Sequence, residues 1–319
     1  MSRRGWFLFA LMGVVWGIPY LLIKVAVEGV SVPVLVFVRT AVGAAVLLPL
    51  ALRGGQLAGL VRHRWPLAAF AAIEIIVPWW LLSDAERRIT SSMAGLIIAA
   101  APILAVLMAR LIGDSERLDA RRLAGLALGF AGVAALVRPE LGGDPWAIVE
   151  VLLAACGYAS APLLVAHRLK GVPALPMTAV CLAFAAVVYA PAAMLTWPDA
   201  VPSGRVTGAL AVLAVVCTAL AMMAFFALIR EVGPARAMVF TYVNPAVAVS
   251  AGVLVLGEPL NATVLAAFAL ILGGCVLATS QRSGAEAATV PATGGERAAS
   301  SEPTSTGPGG AEPDEARRR

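Results

Sequence analysis

Lys24, Arg39 and Glu74 are the residues of this chain whose types and surroundings could do chemistry, because each interrupts a long apolar run. They are the only clearly ionisable side chains expected within membrane-length spans, and all three fall in the first half of the sequence. A charge at membrane depth costs about 2.5–3.5 kcal/mol on insertion scales, so it faces a cavity or a partner and is a functional candidate by default. At a rise of about 1.5 Å per residue, Glu74 lies about 12 Å from the inner end of its helix, near the midplane. Lys24 and Arg39 lie about 6 and 9 Å from the outer ends of theirs. A guanidinium cannot be neutralised, so Arg39 requires a water-filled vestibule, a carboxylate or a clamp of carbonyls. Lys24 can instead snorkel outward beside Glu28, one turn on.

Pro78 follows Glu74 by four residues. Proline has no N–H and its ring crowds the carbonyl one turn back, so a polar notch is expected beside Glu74, next to Trp79 and Trp80. A carboxylate there suits a proton carrier, or else a structural partner for Arg39. Pro102 and Pro245 stand at equivalent places in two later spans and would free the carbonyls of Ile98 and Thr241 in the same way. Matched interruptions in two halves of a chain are the best sequence pointer to a transport site, although proline also occurs in spans as a tolerated kink. Tyr158, Ser160, Tyr242 and Asn244 supply polar groups in the second half, and Trp16, Tyr20, Trp79 and Trp80 supply flat surfaces for an organic cargo.

Long apolar elements must carry these side chains, since 60% of residues are apolar and only 13% charged. Soluble domains have about 45–50% and about 25%. In lipid every backbone polar group must be paired internally, and continuous runs without strand alternation select helices over a barrel. Ten spans fit, at 6–28, 33–52, 66–85, 89–112, 119–138, 146–167, 173–196, 206–229, 235–256 and 260–280. A repeat relates them: Arg87-Arg88-Ile89 through Ala94 and Pro102 returns 143 residues later as Arg230-Glu231-Val232 through Ala237 and Pro245. With five helices per copy the two copies are inverted, so the fold class expected is an all-α membrane protein of two inverted five-helix repeats. The repeats occupy 1–140 and 141–281.

Thirteen Lys and Arg fall in the loops on the side of the N-terminus, against Arg87, Arg88, Arg138 and Arg205 on the other. This places both termini in the cytoplasm by the positive-inside rule. The first apolar run has no small-x-small cleavage site and is too long for a signal h-region, so it is expected to be retained. Residues 282–319 carry five basic and six acidic side chains with almost no large apolar ones, the composition of a disordered cytoplasmic tail. The terminal Arg317-Arg318-Arg319 could meet anionic lipid.

The chemistry of soluble enzymes finds no support. His63 and His167 lie on separate loops, and the chain has no GxSxG motif, Walker loop or metal-spaced His/Cys/Asp cluster, so neither metal nor cofactor is expected. Cys156, Cys181, Cys217 and Cys275 lie in separate spans and read as small packing residues. The clustered basic residues give no nucleic-acid footprint. Gly125-x-x-x-Gly129 with Gly132, and Ala269-x-x-x-Gly273, are small faces suited to contact between the halves or in a homodimer. Asp119 and Asn261 suit helix N-caps.

The chain resembles the EamA-like family of the drug/metabolite transporter superfamily. The first copy carries the likeness in Trp16-Gly17, Lys24, Arg39, Ile89-Thr90, Ala94, Pro102 and Gly125 to Gly132. The second carries it in Val232-Gly233, Ala237, Asn244-Pro245, Gly257-Glu258-Pro259-Leu260 and Gly273-Gly274. Two departures stand out: an extended loop, Gly113-Asp114-Ser115-Glu116-Arg117-Leu118, and Cys156-Gly157 where an aromatic residue before the small one is common. The resemblance implies a ten-helix basket around a central cavity and the export or exchange of small metabolites or amphipathic compounds. The expectation is a secondary transporter in the cytoplasmic membrane, in contact with lipid and a small-molecule substrate. Glu74 is the candidate for proton coupling, and Lys24 and Arg39 would attract an anionic group. The alternatives are an uncoupled carrier in which Glu74 merely pairs Arg39, and a receptor or scaffold acting through the tail.

Overall fold

A computed structural model of the chain describes residues 1–55, 57–111, 120–136 and 144–279. The expectations for the 113–118 loop, Asp119, Arg138 and the tail lie outside these residues. Among the described residues all regular structure is helical. The first apolar run divides into α1 (Arg3–Val15) and α2 (Pro19–Ala26), while α3 (Val32–Arg53) is continuous. The third run passes from a 3-10 stretch, Ala58–His63, through α4 (Arg64–Ala71) and a π turn at Ala72–Ile76 into α5 (Val77–Ala85). The fourth divides into α6 (Ser91–Ile98) and α7 (Ala101–Leu111) and is followed by α8 (Ala120–Leu136).

The second copy begins with α9 (Pro145–Arg168) and α10 (Ala174–Leu195). Next, α11 (Gly204–Ala214), a π turn at Val215–Leu220 and α12 (Ala221–Val232) make one long run. A short helix, α13 (Pro234–Ala237), and a 3-10 stretch, Met238–Tyr242, lead into α14 (Asn244–Leu256) and finally α15 (Ala262–Thr279). Eight of these runs are long and apolar enough to cross a membrane. The segments expected to span at 119–138 and 260–280 are the helices α8 and α15.

Local sequence explains where the helices begin and break. The hydroxyls of Ser2, Ser31, Thr90 and Ser203 each accept the N–H three residues on. Asp144 accepts from Trp146 and Ala147, and Asn261 from Val264 at 2.9 Å. These oxygens satisfy N–H groups that no helical carbonyl can reach. Pro19, Pro102 and Pro245 each stand first or second in a new helix, where a missing N–H is not needed. After α14 the chain turns at Gly257, whose φ of 66° is open to glycine at little cost.

Packing pairs equivalent spans of the two copies. α3 lies against α10 and α8 against α15, while in the fourth and ninth spans α6 packs against α14, the half of the partner span that corresponds to α7. The remaining pairs are crossed in a matching way: α1 contacts α12, and α5 contacts α9. At the breaks glycine permits close approach, so that a Cβ on Gly17 would come within 2.5 Å of Val247 and one on Gly95 within 2.5 Å of Ala248. The four cysteines are free, and Cys275 donates to the Ala99 carbonyl at 3.0 Å.

The α8–α15 contact corrects one expectation. Gly125, Gly129 and Gly132 do form a small face, but its counterpart is Ala267, Ile271, Gly274 and Ala278, not Ala269 and Gly273. Ala269 and Gly273 are exposed, one helical step around from the face that Ala267 and Gly274 bury. A Cβ on Gly274 would lie 2.5 Å from the Gly129 nitrogen and 2.7 Å from the Gly125 oxygen, backbone atoms that cannot rotate aside. Gly274→Val therefore separates the two helices at an overpacking cost of about 1–3 kcal/mol. Gly273→Ala, which meets nothing within 4 Å, leaves the thermal unfolding midpoint in detergent unchanged, whereas Gly274→Val lowers it.

Candidate functional site

The third span widens where Pro78 enters. In the π turn at Ala72–Ile76 the Val77 N–H reaches back five residues to the Ala72 carbonyl, and Glu74 sits in the middle of the widened turn. Gly157 of α9 seats against this notch, because a Cβ there would collide with the Ile73 carbonyl and crowd the Pro78 ring at 2.9 Å. The Tyr189 hydroxyl donates to the Ile76 carbonyl at 2.6 Å. The helix is thus widened beside Pro78, with the Ile76 carbonyl taken by Tyr189 and the Ile73 carbonyl covered by α9.

The second copy has a π turn at the equivalent place, Val215–Leu220, without a proline. There the Thr218 hydroxyl donates to the Leu213 carbonyl, five residues back, at 3.0 Å. Thr218 also accepts from the Arg39 Nε at 2.9 Å. One residue earlier the Cys217 carbonyl accepts from the Trp16 indole N–H at 3.2 Å. π turns of this kind occur often at functional sites. Here the first carries a carboxylate and the second anchors a guanidinium.

Arg39 is 8% exposed, and its Cζ lies 3.6 Å from the centroid of the Trp79 ring. A planar cation over an indole face gains about 2 kcal/mol or more once desolvated. Trp79 in turn lies beside Tyr158, which shares an electrostatic neighbourhood with Glu74, Arg39 and Tyr20. Tyr20 is buried against Gly95 and feels both Arg39 and Glu86. Glu74, Arg39, Trp79, Tyr158 and Tyr20 are therefore brought together from α2, α3, α9 and the third span. Among the described residues no ion pair joins Arg39 to Glu74, so the direct pairing expected for an uncoupled carrier is absent.

Other candidates take different places. Lys24 does not snorkel outward: its Nζ donates to the carbonyls of Glu86 and Ile89 at 2.6 and 2.7 Å, closing the C-terminal end of α5. A cation suits the negative end of the helix dipole. Glu28 pairs with Arg205 instead, at 3.9 Å. Trp16 packs in an aromatic cluster, 5.0 Å from Phe225 and 5.4 Å from Phe240. Trp80 is 38% exposed and stacks on Tyr189, facing away from Arg39's partner Trp79. Ser160 bonds to its own helix at the Cys156 carbonyl. Tyr242 is half-buried in the 3-10 stretch before α14, and the Asn244 Oδ1 is buried with no hydrogen-bond partner.

Sequence reasoning missed four participants. Thr218 carried a signal only through the repeat, since it follows the residue equivalent to Glu74. Glu150 lies within a span, contrary to the expectation that only three ionisable residues do, and is 5% exposed. It pairs with Arg88, which also reaches Asp84 at 3.0 Å and Asp144 at 3.6 Å. Glu258 accepts from the N–H and hydroxyl of both Ser91 and Ser92, a carboxylate at the N-terminus of α6. Glu86, one residue beyond α5, is wholly buried. Elsewhere, an apolar crevice of about 470 Å³ between Leu57–Ala68 and α10 holds none of these residues.

The two-copy pattern and the paired breaks match a known family profile, the EamA-like transporter family, over residues 3–138 and again over 145–280. This chain belongs to that family. It is a membrane transporter. The chain is 30% identical over 276 residues to the uncharacterized inner membrane transporter YedA of Escherichia coli strain K12, covering 85% of this chain and 89% of that one. The YedA sequences of Escherichia coli O6:H1 and O157:H7 match equally. A solved crystal structure of 21% sequence identity shares the fold, with a TM-score of 0.62 over 87% of this chain and 96% of the other.

The Arg39–Thr218 bond joins the two copies, and its loss should be felt in stability. Thr218→Val keeps the volume but leaves a buried cation one acceptor short, a cost of about 1.5–3 kcal/mol. The thermal midpoint of the purified protein falls in Thr218→Val and is retained in Thr218→Ser, which keeps the hydroxyl.

Proposed function

We propose that this protein is a secondary transporter of small organic metabolites bearing an anionic group, working as an exporter or exchanger in the inner membrane. The observation that carries this reading is Arg39. Its Nε is held by Thr218 and its face by Trp79, while no hydrogen bond among the described residues takes its terminal NH2 groups. A guanidinium fixed along one edge presents the other as a fork for carboxylate or phosphate. Tyr20, Trp79 and Tyr158 around it offer flat surfaces for an organic body. Lys24, engaged on carbonyls, contributes charge rather than a direct contact.

The rest of the proposal concerns motion. Ten spans in two inverted copies, over 1–140 and 141–281, account for the crossed pairing of α1 with α12 and α5 with α9, since a two-fold axis in the membrane plane exchanges those pairs. Inversion is supported by the ends that meet: Ser2 at the start of the first copy bonds to Glu231, while Asp144 at the start of the second meets Arg88, beside the opposite end of the first span. Such a duplicated scaffold moves by rocking one half against the other around a fixed site. Both termini then face the cytoplasm, and YedA's description as an inner membrane transporter agrees with that membrane. The glycine faces of α8 and α15 are used within one chain, which removes the main motive for a homodimer through them.

Glu74 is the coupling carboxylate in this scheme. It stands in a widened turn at mid-span, with Tyr158 and Cys181 in its electrostatic neighbourhood and no cation paired to it among the described residues. In liposomes holding the purified protein and a mixture of small organic anions, a pH gradient drives accumulation of the cargo, read by mass spectrometry. Glu74→Gln lowers that gradient dependence at least tenfold while leaving equilibrium exchange intact, and Arg39→Gln removes both. Unchanged gradient-driven flux in Glu74→Gln would overturn the coupling role.

A further inference from the structure

Glu86 is buried completely, and neither of its carboxylate oxygens has a hydrogen-bond partner. Four charged or titratable groups surround it. Lys24 and Tyr20 approach from α2, Arg39 from α3, and Glu258 from the turn after α14. Lys24 is the first cation to which an ionised Glu86 would turn, yet its ammonium is committed to the backbone carbonyls of Glu86 and Ile89. Glu258 is committed to Ser91 and Ser92. A buried carboxylate with no partner costs several kcal/mol when charged, so this arrangement fits the neutral acid.

The fold itself does not ask for an acid here. The residue 143 positions later is Ile229, half-buried in the last turns of α12. An apolar side chain therefore stands at the corresponding position of the duplicated scaffold. The turn that Glu86 opens is gripped from two sides: Lys24 holds its carbonyls at 86 and 89, and Glu258 holds the N–H groups at 91 and 92. The first grip comes from the same copy as the turn and the second from the other copy, so a turn freed by Lys24 gives Glu258 a less rigid anchor for the outer contact between copies.

We propose that Glu86 is a proton-binding latch for the outer end of the transporter. Neutral, it leaves Lys24 on the carbonyls and the 86–92 turn clasped. Ionised, it draws the Lys24 ammonium to itself, and the turn is released. The proton here is a second one, separate from that assigned to Glu74, and acts on closure rather than on cargo. The meaning of the latch rests on the transporter reading, but its operation does not.

Burial is the main influence on the Glu86 carboxyl and holds it well above the usual range; Lys24 and Arg39 pull it back down, and Glu258 pushes it up. The sign of the pH dependence follows. The closed state binds the proton more tightly than the open one, in which pairing with Lys24 holds the acid at or below its ordinary value of about 4.3. Closure is then fully favoured below that open-state value and weakens as pH rises, by about tenfold in the opening constant per pH unit, until the closed-state value is passed.

Hydrogen exchange of the full-length protein in detergent, followed by mass spectrometry from pH 5 to 9 and corrected for the intrinsic rate, reads this opening at residues 86–98 without any cargo. Wild type shows the rise of about tenfold per pH unit over part of the range. Glu86→Gln and Glu86→Ile stay protected and flat, and Glu74→Gln retains the wild-type profile. Glu86→Ile also keeps the wild-type thermal midpoint or exceeds it. A flat wild-type profile, a wild-type slope in Glu86→Gln, or loss of folding in Glu86→Ile would each overturn the latch. Failure of gradient-driven transport in Glu74→Gln would leave these outcomes untouched.

Discussion

Arg39 carries a charge that no change of pH removes, inside a bundle whose composition is made for lipid. Its Nε bonds to a hydroxyl of the second copy, and its plane lies on an indole of the first. Neither partner is an anion, so the cation is held in place without being neutralised. That combination of fixed position and uncompensated charge is what a preorganised anion site requires, since the donors need not be moved or freed when the ligand arrives. The widened turn at Val215–Leu220 makes it available, because a regular helix would direct the Thr218 hydroxyl to a carbonyl four residues back rather than five.

Both π turns belong to the scaffold, since they fall at equivalent places in the two copies. Their chemistry differs. Glu74 in the first corresponds to Cys217 in the second, and Glu86 corresponds to Ile229. The duplicated chain thus supplies its own control: each position has an apolar occupant elsewhere in the same fold. A buried acid or base that the fold can do without costs stability, and a cost of that kind is retained for what the group does. The asymmetry of charge is therefore better evidence for function than depth alone.

The large features were legible in the sequence because they depend on properties that lipid enforces. Apolar length fixed the helices, proline marked the breaks at Pro78, Pro102 and Pro245, and the repeat of the Arg87 pattern predicted which elements would correspond. Side-chain direction was not legible. Trp79 and Trp80 are adjacent, yet one lies under Arg39 and the other on the exposed face of the same helix, because successive helical residues point about 100° apart. Depth gave Lys24 an outward path, but two unpaired carbonyls at the end of α5 lay nearer. Glu86 and Glu258 escaped notice as loop residues, since a boundary uncertain by two or three positions separates an exposed loop acid from a buried one.

Glu258 and Lys24 act on one turn through opposite ends of two helices. The carbonyls of Glu86 and Ile89, just past α5, take a cation and the first N–H groups of α6 take an anion, which is the polarity the two helix ends favour. A turn between antiparallel helices presents both kinds of orphan group within a few residues, so it can be gripped by two side chains of opposite sign without strain in either. Because the grips come from different copies, relative movement of the halves must break at least one of them. The groups that satisfy the backbone at this end are thus the same groups that set how firmly the copies are joined, and any third charge placed among them acts on both at once.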